Sequence, residues 1–250
     1  MTAAASQRPS FTPERLQRLL DMNQRHFWFA GRRMLVDRLL RQYRKGDRVL
    51  DLGTGAGESA ERLGRAGLKV TAVDFLPHGL VRLRSAGAKV ALVQSSAEAL
   101  PLSANTFDAV LLLDVIEHLD DRAVLSEVHR ILRPGGAVFI TVPAFAWLWS
   151  YRDDAAGHRR RYSQRGLAQV IAHAGFRVEH LSYYQCLLFP LAIVARYAGR
   201  KNPAIRDIED MPPAWINGLF TVINKVEVSL GRFVKWPWGS SLAAVGVKSR

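Results

Sequence analysis

One cysteine in 250 residues, Cys186, leaves no disulfide framework to build. No apolar run approaches the roughly 20 residues that cross a bilayer as a helix. The longest, residues 187–195, holds Pro190 and runs straight into Arg196. The N-terminus lacks the long apolar stretch followed by small residues that marks a secretory signal, so the expected location is cytoplasmic. Acids are scarce beside bases, 22 Asp and Glu against 35 Lys and Arg, for a formal net charge of +13. Such a field favours anionic partners: nucleic acid, phosphorylated substrates or an anionic membrane surface met peripherally. The plainer reading, a solvated basic face, stands beside these.

With 48% hydrophobic residues the chain can bury one substantial core, and a single domain over 1–250 is expected. Within it, N-terminal helices are expected over 11–45. Leu16, Leu19 and Leu20 share one helical face, and after Gly31 so do Met34, Leu35, Leu39, Leu40 and Tyr43. From residue 46 to 184 short apolar runs alternate with helical segments, the pattern of a parallel sheet with crossover helices. Strands are expected at 48–52, 69–74, 89–94, 109–114, 137–142 and 177–184, with a last one at 241–247 and Pro134, Gly135 and Gly136 as a turn. Residues 185–240 are too many for a hairpin and form a helical insertion, either a lid over the substrate side or a membrane contact.

The first strand runs into Asp51, Leu52, Gly53, Thr54, Gly55, Ala56, Gly57. Glycines let the chain turn sharply and bring its backbone close to a ligand. The dinucleotide fingerprint would place a third glycine where Glu58 stands, which disfavours a nicotinamide cofactor. Asp51 would repel a pyrophosphate but attract a ligand carrying an ammonium and a sulfonium. Asp74, closing the second strand, can accept from both hydroxyls of a ribose.

In this order, residues 49–143 resemble the class I S-adenosylmethionine-dependent methyltransferases, over more than a third of the chain. Asp51 to Gly57 is similar to their first motif, and Val73, Asp74, Phe75 to their acidic second-strand end. Ser96, Ala97, Glu98, Ala99, Leu100, Pro101 resembles the adenine loop, with a serine where many relatives have an aspartate. Leu132, Arg133, Pro134, Gly135, Gly136 resembles the turn before the fifth strand. The resemblance implies an α/β, Rossmann-like, doubly wound sheet of seven strands with an antiparallel last strand. It also implies S-adenosyl-L-methionine as cofactor, met by Asp51, Gly53, Thr54, Gly55, Gly57, Asp74, Phe75, Ser96, Ala97 and Asp114.

Asp114, Val115, Ile116, Glu117, His118 follows the fourth strand, where an acid, Glu and His at this spacing can converge on one point. It resembles the ubiquinone-pathway O-methyltransferases and the small-RNA 2'-O-methyltransferases. That resemblance implies a divalent cation such as Mg held by Asp114, Glu117, His118 and a later His158, polarising a hydroxyl acceptor. The metal-free alternative makes His118, with Glu117 and His158, a pocket residue or general base. Arg159 to Arg161 form either an anion clamp or a structural cluster, and His26, Phe27, Trp28 and Phe29 with Arg32 and Arg33 either close over the cofactor's carboxylate or staple the core. Trp147, Trp149 and Tyr151 either line the acceptor pocket or pack their loop. The expected function is O-methylation of a small-molecule or lipid-linked acceptor. An RNA methyltransferase, less favoured because no appended RNA-binding module is recognisable, and a non-catalytic cofactor-binding scaffold are the alternatives.

Overall fold

The structure, a computed structural model, describes residues 20–23, 25–199 and 212–249. Leu16 and Leu19 lie outside the described residues, as does part of the expected insertion. The chain order is α1 (Phe27–Tyr43), β1 (Arg48–Leu52), α2 (Glu58–Arg65), β2 (Lys69–Asp74), α3 (Pro77–Ser85), β3 (Ala91–Gln94) and β4 (Phe107–Leu113). It continues through α4 (Asp121–Ile131), β5 (Leu132–Pro143), α5 (Tyr151–Ala156), α6 (Gln164–His173), β6 (Phe176–Tyr184), α7 (Phe189–Gly199), α8 (Ala214–Leu230) and β7 (Ser241–Lys248). Single turns of 3-10 helix sit at Ile116–His118 and Ala146–Leu148.

One seven-stranded sheet has the order β3-β2-β1-β4-β5-β7-β6. β1, β2, β3, β4 and β5 pair in parallel, and β7 runs antiparallel between β5 and β6. The expected fold is therefore present, including the reversed last strand. Side-chain alternation splits the core in two. Leu50, Val110, Leu112, Val138 and Ile140 face α4 and α6, whereas Val49, Ala109, Leu111, Ala137 and Phe139 face α1, α2 and α3. Chain order reverses between β1 and β4, so the carboxyl ends of β1, β2, β4 and β5 crowd one sheet edge on either side of this point.

Most strand bounds fall within two residues of expectation, and three differences have a local cause. Pro134, Gly135 and Gly136 belong to β5, because Phe107 already pairs with Leu132. The register then shifts before Ala109 meets Ala137, with Gly135 at φ +78 inside the irregularity. β4 ends at Leu113, since Asp114 turns out of the strand at φ +58. Helix α1 begins four residues before Gly31. His26 caps it, its Nδ1 accepting from Trp28 N at 3.2 Å, and Gly31 sits where a Cβ would come within 2.8 Å of Asn224 Nδ2.

Gly79, on the first turn of α3, packs flat on the β1–α2 loop: a Cβ there would lie 1.7 Å from the carbonyl oxygen of Gly55. Gly79→Ala must push that loop off α3. We expect adenosylhomocysteine affinity to fall at least tenfold by calorimetry, while the unfolding midpoint drops by only a few degrees, since overpacking at one point costs about 1–3 kcal/mol. Unchanged affinity would mean that the loop position does not matter to the ligand.

Candidate active site

Each loop amide with an assigned partner spends its hydrogen bond inside the protein. Gly53 N and Thr54 N both donate to Val73 O, at 2.8 and 3.0 Å. Gly55 N donates to Asp74 Oδ2 at 2.8 Å and Gly57 N to Thr54 O at 2.9 Å. A pyrophosphate would need such amides turned outward, and these four are not available to it. Gly55 itself has φ +56 and open space where a Cβ would stand.

The acids around the loop are desolvated and held. Asp51 is buried, accepts from Thr54 Oγ1 at 2.6 Å, and burial pushes its carboxyl up to about 6 against the opposing pull of that bond and of Arg32. Asp74 is also raised by burial, although Leu76 N at 2.9 Å and Gly55 N stabilise its charge. Ser96 Oγ accepts from Glu98 N at 3.2 Å, and Ala97 is buried beside it. Phe75 is exposed just past Asp74.

Beyond β4 the structure sorts the expected metal residues. One ligand atom each from Glu117, His118 and His158 lies within 4.8 Å of the others. Asp114 is not in this group. It is ion-paired with Arg32, whose guanidinium rests over Trp28 and Phe29 at 5.2 and 4.9 Å from the ring centroids. Arg32 is thus spent on Asp114, which sets Asp114 apart from the other three expected metal residues and occupies one of the two arginines expected to close over a ligand.

Glu117 is fully buried, and neither carboxylate oxygen has a hydrogen-bond partner among the described residues. Burial, and secondarily the charge of Asp114, hold its carboxyl well above the usual range. His118 Nδ1 faces Gly157 O at 3.2 Å, and its ring meets that of His158 edge-on at 4.8 Å. His158 Nδ1 bonds Asp153 Oδ1 at 2.8 Å.

Asp153, not among the expected site residues, is the hub. It is completely buried at the start of α5, and its Oδ2 accepts from Ser150 N at 2.8 Å in a capping box. Arg161 grips both oxygens, Nε to Oδ1 at 2.7 Å and Nη2 to Oδ2 at 3.0 Å. The bonds from His158 and Arg161 outweigh desolvation and keep the carboxyl below its ordinary range. The signal in the sequence was the Ser150-x-x-Asp153 spacing ahead of a short helix. Two of the three clustered arginines serve the fold: Arg161 holds Asp153, and Arg160 pairs with Asp121 at 2.8 Å, where Tyr162 also donates at 2.7 Å.

A cavity of about 530 Å³ opens over this group. Asp114, Glu117, His158 and Arg161 line it together with the apolar Phe27, Leu188, Leu191, Ala192, Ile216 and Phe220, and Arg152 and Arg196 reach it too. His118 is not on its wall; His158 is. Trp147, Trp149 and Tyr151 are also absent from it, and Trp149 Nε1 instead donates to Asp154 Oδ1 at 2.9 Å.

Comparison with known proteins fits this geometry. Residues 50–140 match the family described as "Methyltransferase domain". A ubiquinone biosynthesis O-methyltransferase of Methylocella silvestris is 35% identical over 181 residues, 65% of this chain and 70% of that protein. The chain belongs to the class I S-adenosylmethionine-dependent methyltransferases. This methyltransferase is also 37% identical over 128 residues to an uncharacterized methyltransferase of Mycobacterium tuberculosis, covering 51% of this chain and 48% of that one. It therefore spans about half the length of the first curated relatives it matches. A solved methyltransferase from Archaeoglobus fulgidus shares the fold at TM-score 0.58 and 19% identity, over 92% of this chain and 99% of that one. S-adenosylmethionine is the cofactor of the methyltransferase family to which the chain belongs.

Asp153→Asn would leave Arg161 buried without its counter-charge. We expect a loss of about 3–5 kcal/mol in urea unfolding at neutral pH. Because the native carboxyl titrates below its unfolded value, the stability it contributes is present above about pH 4 and disappears as pH falls toward the native value. The gap between wild type and variant should narrow in that acidic window; a gap independent of pH would remove Asp153 from this role.

Proposed function

We propose that this methyltransferase carries out O-methylation of a small or lipid-linked acceptor held in the cavity, with His158 as general base and Asp153 as the residue that orients it. The observation that carries the reading is the pair His158 and Asp153 at 2.8 Å, both lining the cavity. A carboxylate only accepts, so Asp153 favours the tautomer with hydrogen on Nδ1 and leaves Nε2 to take a proton. A mostly apolar lining with a few polar side chains suits an acceptor with a hydroxyl and an apolar body.

When bound, S-adenosylmethionine supplies a methyl carbon on a positive sulfur, which keeps the bonding electrons as that carbon joins the acceptor oxygen. Asp51 would meet the cofactor's ammonium, Asp74 its ribose, and Ser96 with Ala97 its adenine. Gly55 leaves the space. His158 takes the hydroxyl proton, and burial of Glu117 makes it the group most in need of a donor from the acceptor.

A second reading rests on the 4.8 Å cluster of Glu117, His118 and His158. These residues would hold a divalent ion, which would lower the pKa of the acceptor hydroxyl. Two imidazoles and one carboxylate suit zinc, iron or nickel better than magnesium.

Methyl-labelled cofactor incubated with lipid, small-molecule and RNA fractions tests the acceptor. Label in the lipid or small-molecule fraction is expected, and label confined to RNA would overturn the assignment. His158→Gln should cost about 100-fold or more in turnover with adenosylhomocysteine affinity unchanged. Loss of turnover on chelation, restored by metal, would move the cluster to the second reading. Asp51 gives a pH test: its carboxylate must be ionised to hold an ammonium, so with a carboxyl near 6 affinity should rise about tenfold from about pH 5 to 7. In Asp51→Asn that slope should vanish. A flat wild-type profile would take Asp51 out of the cofactor site.

A further inference from the structure

Helix α8 is inside out. The face turned toward α1 and the turn after β6 carries polar anchors beside Phe220, which meets Phe27 edge-on at 5.0 Å: Asn217 Oδ1 accepts from Phe27 N at 2.8 Å, and Asn224 Nδ2 donates to Phe27 O at 2.9 Å. Glu227 Oε2 accepts from Cys186 N and Leu187 N at 2.8 and 2.9 Å. The opposite face, at intervals of three and four residues, is Trp215, Leu219, Val222, Val226 and Leu230, each between 44 and 73% exposed. A helix whose outer side meets only water has the reverse arrangement. Helix α7 repeats the theme with Leu187 just before it and Leu191 and Val194 on it, all exposed. The segment after α8 adds Phe233, 86% exposed, and Trp238, interleaved with exposed Arg232 and Lys235.

We infer that the outer faces of α7 and α8, with residues 232–238, form a docking surface for an anionic lipid bilayer. An exposed apolar stripe of this length marks a contact. Its chemistry selects the partner. Tryptophan and phenylalanine beside arginine and lysine suit the boundary between acyl chains and headgroups. Lys225, Arg232 and Lys235 at the rim, in a chain of net charge +13, would meet like charges on a second copy but opposite charges on anionic lipid. No helix among the described residues is long and apolar enough to cross a membrane, and the buried face of α8 is hydrogen-bonded to the protein, so the contact is in the surface plane. Leu191 both lines the cavity and is exposed on this surface. An acceptor with an apolar body would reach His158 past α7 without leaving the lipid, a step that rests on the acceptor reading above.

Sedimentation of the full chain with phosphatidylglycerol–phosphatidylcholine vesicles, against pure phosphatidylcholine, tests the surface. Partitioning is expected to be about tenfold stronger or more on the anionic vesicles, since each basic residue near the surface adds to attraction. Leu219→Gln combined with Val222→Gln should weaken binding at least tenfold, and Arg232→Glu combined with Lys235→Glu should do so on anionic vesicles alone. Both variants should keep wild-type affinity for adenosylhomocysteine, which shows them folded. Equal binding by wild type and both variants, or no vesicle binding, overturns the proposal. So does a chain that light scattering finds dimeric and that Leu219→Gln with Val222→Gln turns monomeric, because the face would then belong to a second copy. Vesicle binding lost with methyl transfer intact leaves the acceptor chemistry standing; the converse leaves the docking surface.

Discussion

A carboxylate at the end of a buried strand has lost most of its water, and the organisation of this sheet edge follows from what replaces it. Asp51 has a threonine hydroxyl, Asp74 two amides, Asp114 an arginine and Asp153 a histidine and an arginine. Each substitution fixes a neighbouring segment: the glycine loop, the start of α1, or α5. Glu117 has no such replacement among the described residues, and it lines the cavity beside His158. A buried polar group without a partner is a cost carried by the fold, and such costs concentrate where a ligand is to complete the set.

The same rule, read in reverse, accounts for α8. Asparagines and a glutamate are turned inward because α1 and the turn after β6 present amides and carbonyls that need partners. With these polar residues taking up part of the inner face, beside Phe220 and Val228, five apolar residues of the helix are left outside. Gly31 is the local condition for this packing, since any side chain there would collide with Asn224 and Gln185. Cavity and outer surface are consequently two sides of one pair of helices.

The core was legible because parallel strands are continuous apolar runs and their turns are spelled in glycine and aspartate. The bounds of β1 and β2 were read to the residue. The extent of β5 was not, because a bulge looks like a turn when only Pro134, Gly135 and Gly136 are seen. The candidate site was legible in part. Glu117, His118 and His158 do come together although the last two stand 40 positions apart in the chain, whereas Asp114, counted with them by the resemblance, is paired with Arg32.

Local order along the chain determined the strand alternation, the glycine turn with its acids and the family, since these depend on residues near one another in sequence. Tertiary structure alone decided which acid each base would take: Arg32 reaches Asp114 across 82 residues, and Arg161 takes Asp153 rather than a ligand. It also decided which face of α8 would point outward. Desolvation depends on the whole surrounding shell, and no stretch of sequence contains that shell.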